Sequence, residues 1–194
     1  MSDLTGKTAV ITGGNSGMGY ETARKFKELG ANVIITGRNQ EALDKAASEL
    51  GVKAILADQS KLGELDQMVA QVKEQFGKID VLFVNAGIAA FAPLEHVSED
   101  QFDNLMNINF KGAFFTLQKF LPVLNDGASV INLSSINAYT GMPNTAVYAA
   151  SKAALNSLTR TAAYELAPRH IRVNSVNPGP VNTAIFGKLG MPEK

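Results

Sequence analysis

The chain contains no cysteine, which removes disulfide scaffolds, thiolate zinc sites and thiol nucleophiles together. Histidine is nearly as scarce. His96 and His170 stand far apart in the sequence with no clustered carboxylates beside them, so both are expected to be structural and no metal site is predicted. Excess charge of either sign is missing too: 18 Lys plus Arg balance 18 Asp plus Glu, and neither sign gathers in a long run. An electrostatic basis for binding nucleic acid or an anionic membrane is therefore absent. Long hydrophobic runs are also lacking, because the longest apolar stretch, VLFVNAGIAAFAPL, is interrupted by Asn85 and is too short to span a bilayer. The opening residues MSDLTGK carry no apolar signal core. A cytoplasmic protein is expected, with a small molecule or another protein as its partner.

What the sequence does contain is a rhythm. Short apolar runs alternate with longer amphipathic segments: KTAVIT and a helix to Leu29, NVIITG and a helix to Leu50, VKAILA and a helix to Phe76. IDVLFVN, a helix over 98–124, ASVINLS, a helix over 145–167 and IRVNSVN complete the series. Runs such as VLFV are apolar on both sides, as in a parallel strand covered by helices on both faces. Asn39 and Ser98 are candidate N-caps, Ser98 with Gln101 forming a capping box; Gly30 and Gly51 follow helices, and Pro168 stops the fifth. Right-handed crossovers then predict one α/β domain over residues 1–194, a doubly wound parallel sheet in the order 3-2-1-4-5-6. Ligands of such sheets bind beyond the carboxyl ends of the strands.

At the end of the first predicted strand lies TGGNSGMG, with Gly13, Gly17 and Gly19 in the spacing G-x-x-x-G-x-G. Glycines let a backbone approach a pyrophosphate closely, and a helix N-terminus offers unpaired N–H groups at the positive end of its dipole. Between a first strand and a first helix, this pattern points to a nucleotide site built from Gly13, Asn15, Ser16, Gly17, Met18 and Gly19, with Met18, Ala23 and Phe26 free to face the sheet. The GKT at 6–8 is no P-loop, since the glycine that motif needs would fall at Met1. About twenty residues on, where an NAD enzyme carries an acid for the ribose hydroxyl, the chain reads TGRN. Gly37 removes a charge that would repel a 2′-phosphate, and Arg38 supplies a permanent, planar cation able to hold one. NADP(H) is therefore expected in preference to NAD(H).

A third feature sits in VYAASKAAL, where Tyr148 precedes Lys152 by four residues and so by about one helical turn. Among the chain's four tyrosines, only Tyr148 has a lysine at that spacing. An ordinary surface pair would look the same. The surrounding sequence argues otherwise: TGGNSGMG, NAG at 85–87, the asparagines of NINFKG, the serine pair of INLSS, Tyr148 with Lys152, and NPGPVNT resemble, in order and over nearly the whole chain, the signatures of the short-chain dehydrogenase/reductase family.

That resemblance implies a catalytic set. A serine thirteen positions before the tyrosine selects Ser135 over Ser134, and the asparagine before the Phe-x-Gly of NFKG selects Asn109 over Asn107. It further implies that Asn85, Ala86 and Gly87 shape the cofactor site, that Asp58 and Gln59 lie against the adenine, and that Pro178, Gly179, Val181 and Thr183 line the nicotinamide. Tyr148 would be general acid in reduction and base in oxidation; Lys152 would lower its pKa and hold the nicotinamide ribose. Ser135 would donate to the substrate oxygen, and Asn109 would hold a water feeding protons to Lys152. A free phenol titrates near pH 10, about three units too high for exchange near neutrality, a gap of roughly 4 kcal/mol. A cation about 4 Å away supplies only about 1 kcal/mol in bulk water but about 4 at an effective dielectric near 20, so the pair needs a partly dehydrated pocket.

The family's usual continuation past this point, a covering helical segment, a seventh strand and a further helix, is not in the sequence, which ends at MPEK. Either the sequence is part of a longer chain, or a C-terminal lid and seventh strand are absent; subunit pairing to a homodimer or tetramer is expected through the fourth and fifth helices, whose Ala149, Ala150, Ala153 and Ala154 permit close approach. The expected activity is reduction of a ketone or aldehyde, or the reverse alcohol oxidation. A 3-oxoacyl thioester reductase and a non-catalytic NADP(H)-binding sensor or scaffold stand as alternatives. Phe91, Asn137, Tyr139, Met142 and Phe186 would border an apolar substrate pocket.

Overall fold

The computed structural model describes residues 3–181. Six strands form one parallel sheet: β1 (Thr8–Thr12), β2 (Asn32–Gly37), β3 (Lys53–Leu56), β4 (Ile79–Val84), β5 (Leu124–Leu133) and β6 (Arg172–Val176). Their order is β3-β2-β1-β4-β5-β6, as the alternating apolar runs predict. In register, Val10 lies beside Ile34 on one side and Leu82 on the other. The central strands are buried on both faces, whereas β3 and β6 at the two edges alternate toward solvent.

The two faces carry separate cores because adjacent strand residues point in opposite directions. Val10, Ile34 and Leu82 pack with α3 (Leu62–Phe76), α5 (Ala113–Phe120) and α6 (Ala146–Glu165). Ile11, Ile35 and Phe83 pack with α1 (Gly17–Glu28) and α2 (Gln40–Leu50), where Ala23 is fully buried and Met18 and Phe26 lie partly buried against them. The predicted caps are in place. Asn39 accepts from the Ala42 N–H, Ser98 accepts from the Gln101 N–H at the start of α4 (Glu99–Met106), and Gly51 closes α2 in the left-handed conformation.

Two departures from the expected pattern bear on the site. The single helix expected over 98–124 is three pieces: α4, a π-helical turn Asn107–Gly112, and α5, which ends where Pro122 enters a 3-10 turn. β5 begins at Leu124, earlier than the apolar run from Ala128 indicates. It pairs Leu124 with Ile79, then slips so that Ser129 faces Val81. The extra residues include Gly127, whose φ of +80° suits a residue without a Cβ.

Phe120, fully buried where α5 meets the sheet, anchors the larger core. Phe120→Ala is expected to cost about 4 kcal/mol, the order found for emptied aromatic core sites. Urea titration should show a lower midpoint at an unchanged slope.

Candidate active site

At the carboxyl edge of the sheet, strand order reverses between β1 and β4, and the two strand ends are locked together. The Thr12 hydroxyl accepts from the Asn85 and Ala86 N–H groups, each at 3.0 Å, while the Asn85 amide donates to the carbonyls of Thr12 (2.8 Å) and Gly13 (3.0 Å). Thr12 is a site residue that sequence reasoning passed over; its only signal was a hydroxyl at the last position of a strand, directly before the glycine turn.

That lock dictates the glycines. Gly13 has φ +63°, and a Cβ there would lie 2.9 Å from the Ala86 Cα. A Cβ on Gly19 would meet the Gly13 carbonyl oxygen at 2.4 Å, so Gly19 serves packing beneath the turn rather than the groove surface. Helix α1 starts at Gly17 after Ser16, whose side chain makes no capping bond, and its first turn holds no acidic residue. The first N–H groups of α1 thus remain available to an anion at the positive end of the helix.

A groove runs from this turn past Asn15, Arg38 and Asp58 to Gly87. A Cβ on Gly37 would come within 2.7 Å of the Asn15 side-chain oxygen, so a larger residue there would displace the end of that side chain. Arg38 is exposed at the rim. Burial pushes the Asp58 carboxyl up, but hydrogen bonds from the Ser60 backbone and hydroxyl, with the charges of Arg38 and Lys61, hold it below the usual value. Gln59 is buried beneath the groove, its amide nitrogen bonded to the carbonyls of Ala86 and Ile108.

At the inner end of the groove the remaining candidates converge. Asn109 is buried within the π-helical turn, where its oxygen accepts from the Ile88 N–H (2.9 Å) and its nitrogen donates to the Ile88 carbonyl (2.9 Å) and the Ser151 hydroxyl (3.3 Å). Asn107, by contrast, is exposed. Ser134 spends its hydroxyl on the Lys152 carbonyl, while Ser135 lies against Tyr148. A Cβ on Gly87 would sit 3.2 Å from the Asn109 oxygen and 3.5 Å from the Lys152 ammonium, so this glycine lets both close on one point.

Lys152 is 5% exposed and donates to the Leu133 carbonyl at 2.7 Å. Burial lowers its pKa to about 8. Burial also raises the Tyr148 phenol above its ordinary value of 10, and the Ser135 hydroxyl only partly offsets this. The ammonium lies 5.8 Å from the Tyr148 ring centroid, and in the protein by itself burial governs both groups. Phe91 packs edge-on against Tyr148, with ring centroids 5.7 Å apart.

Pro178 is brought beside Ser135, its carbonyl accepting from the Ile136 N–H. Gly179 and Val181 follow at the exposed end, and Tyr139 and Met142 are exposed nearby in sequence. Thr183 and Phe186, named above for the cofactor and substrate, lie outside the described residues. Among the described residues, no group of three potential ligands could hold a metal ion and no helix is long and apolar enough to cross a membrane.

Comparison with known proteins agrees with this geometry. A profile of the short chain dehydrogenase family matches residues 7–194. An oxidoreductase of Sarocladium schorii, asL5, is 40% identical over 196 residues, covering 97% of this chain and 79% of that protein. The crystal structure of a 3-ketoacyl-(acyl-carrier-protein) reductase from Brucella melitensis complexed with NADH superposes with a TM-score of 0.91 at 33% identity, covering 96% of this chain and 80% of that one. An NADP active-site complex of RhlG from Pseudomonas aeruginosa does so with a TM-score of 0.91 at 32% identity, covering 97% and 78%. A glycine cradle at a helix N-terminus, a buried lysine one turn from a tyrosine, and these similarities together place the chain in the short-chain dehydrogenase/reductase family, as an oxidoreductase.

Proposed function

We propose that the protein is an NADP(H)-dependent reductase of ketones or aldehydes, able to run in reverse on the corresponding alcohols. The observation that carries this reading is the convergence of the Lys152 ammonium and Asn109 at Gly87, where the groove ends, with the Tyr148 ring centroid 5.8 Å from that ammonium. The residues fit a dinucleotide: Gly13 and Gly19, which let the turn close tightly against Asn85 and Ala86, open N–H groups at α1, and an arginine with no competing acid at position 37. When bound, the nicotinamide supplies the hydride in reduction and accepts it in oxidation.

The protein's own residues handle the proton. In reduction, Tyr148 donates its phenolic proton to the oxygen of the former carbonyl, which leaves as an alcohol, and Ser135 donates a hydrogen bond to the same oxygen. Burial keeps the phenol in the protonated form that reduction requires, and the same shift makes it a weaker acid, which the neighbouring ammonium offsets once negative charge develops on the phenol oxygen. Recharging it from solvent runs through Lys152 and a water held near Asn109. The edge-on contact with Phe91 fixes the ring plane and walls the substrate side with apolar surface. The same arrangement accommodates a 3-oxoacyl thioester, the substrate class in the name of the Brucella neighbour. A homo-oligomer in the cytoplasm is proposed on the small residues exposed along α6, Ala150 and Ala153 among them.

Arg38 would hold the 2′-phosphate from the rim, close enough to Asp58 to lower its pKa. The 2′-phosphate preference belongs to this chain's own residues, because the two neighbours above carry different cofactors.

Three measurements test these roles. Tyr148→Phe should lower turnover by about a thousandfold while cofactor binding persists, in line with loss of a general acid; retention of most turnover would remove Tyr148 from the chemistry. Arg38→Asp should reverse the ratio of kcat/KM for NADPH over NADH, a change of about a hundredfold or more for loss of a charged hydrogen bond and gain of repulsion. The third concerns pH. The Lys152 pKa of about 8 lies below its unfolded value of 10.5, so the folded state releases the proton first as pH rises. Wild type should therefore gain up to about 3 kcal/mol of stability relative to Lys152→Met between pH 8 and 10.5, with a constant difference below that window. Denaturant midpoints of both proteins across the range would reveal it.

A further inference from the structure

The π-helical turn Asn107–Gly112 poses a physical problem. A turn with one extra residue is less stable than the α-helix on either side of it and persists only where tertiary contacts hold it. Relaxation to the α register would rotate Asn109 by about 100°, the angle of one residue in a helix of 3.6 residues per turn. Its side chain would then leave Ile88 and Ser151.

The contacts that oppose this come from Gln59. Its amide nitrogen uses both hydrogens, donating to the Ala86 carbonyl at 2.7 Å and to the Ile108 carbonyl at 2.9 Å. Gln59 is 6% exposed, and its own side-chain oxygen is buried without a partner. The turn also rests directly on it: a Cβ on Gly112 would fall 2.7 Å from the Gln59 backbone oxygen and 3.0 Å from its Cγ. One amide therefore ties the end of β3, the Asn85–Gly87 segment and the π-helical turn together, one residue before Asn109.

We propose that Gln59 is a positioning residue, whose amide clamps Ala86 and Ile108 and so sets the π-helical register that aims Asn109 at Ile88 and Ser151. Ser151 in turn donates to the Tyr148 carbonyl at 2.7 Å and precedes Lys152. A continuous set of hydrogen bonds thus runs from the outer groove to the reaction centre. Its effect on turnover rests on the catalytic reading of Asn109 given above; the holding of the turn does not.

The Ile88 N–H, which Asn109 protects, provides the direct readout. In Gln59→Leu and Gln59→Met, hydrogen exchange at Ile88 should accelerate by roughly tenfold or more while the amides of β2 keep wild-type protection. In the wild-type protein, the Gln59 side-chain amide and the Ile88 N–H should exchange with the same opening equilibrium, which needs no variant to fold. With a substrate that wild type reduces, Gln59→Leu should lower kcat by about ten- to a hundredfold, the scale of a small misplacement, and leave the KM for NADPH within about threefold. Gln59→Leu combined with Asn109→Ala should turn over no more slowly than Asn109→Ala alone, since the two act in series. Unchanged Ile88 protection in a folded variant, unequal openings in wild type, or multiplicative losses in the double variant would overturn the proposal. Faster Ile88 exchange with undiminished turnover in the Gln59 and Asn109 variants alike would uphold the clamp and instead remove the catalytic role of Asn109.

Discussion

A buried ammonium is costly, and the arrangement around Lys152 follows from that cost. Lys152 cannot leave water without partners, and its hydrogen bond to the Leu133 carbonyl supplies one at the very end of β5. The carbonyl is free because the ladder between β5 and β6 ends there and the chain turns away through Ser134 and Ser135. Ser134 then holds the backbone of Lys152 itself. Strand termination, a lysine on α6 and the serine pair therefore form a single structural unit rather than three motifs.

Even so, burial leaves Lys152 with a pKa near 8 and Tyr148 with one above 10. In water-poor surroundings each group prefers its neutral form. A neutral phenol is the form that the proposed reduction needs, and a lysine near 8 can exchange protons close to neutrality. The attraction between ammonium and phenolate, which sequence spacing alone brings to mind, becomes relevant only after the proton has left.

Much of this was legible in the sequence because it rests on periodicity and on residues with one conformational purpose. Both-sided apolar runs specify buried parallel strands, and Gly13 and Gly19 mark where backbone meets backbone. Asn39, Ser98 and Gly51 mark helix ends by local hydrogen bonding. Other features depended on contacts between distant segments and left no local trace. The π-helical turn is invisible because NINFKG has an ordinary helical pattern, and its extra residue is stabilised by Gln59, far away in sequence. β5 starts early because Leu124 pairs with Ile79 before the bulge, and no apolar run announces it. Thr12 reads as an ordinary strand end; its role depends on Asn85, distant in sequence, which donates its backbone N–H to the Thr12 hydroxyl and its side-chain amide to the Thr12 carbonyl.

The reversal of strand order between β1 and β4 explains why both halves of the site meet at Gly87. Helices α1 and α2 cover one face of the sheet, and α3, α5 and α6 cover the other, so among the described residues no helix closes the crevice above the two central strands. The groove for the nucleotide approaches from the β1–β2 side, and Asn109 and Lys152 approach from the β4–β5 side. Glycine suits the point where they converge, because a Cβ there would press on the Asn109 oxygen at 3.2 Å. Asn85, two residues earlier, is pinned to Thr12 and Gly13, so Gly87 cannot retreat from either side. The position of Asn109 and Lys152 relative to the groove thereby depends on hydrogen bonds between the Thr12 and Asn85 side chains and the backbone at the centre of the sheet.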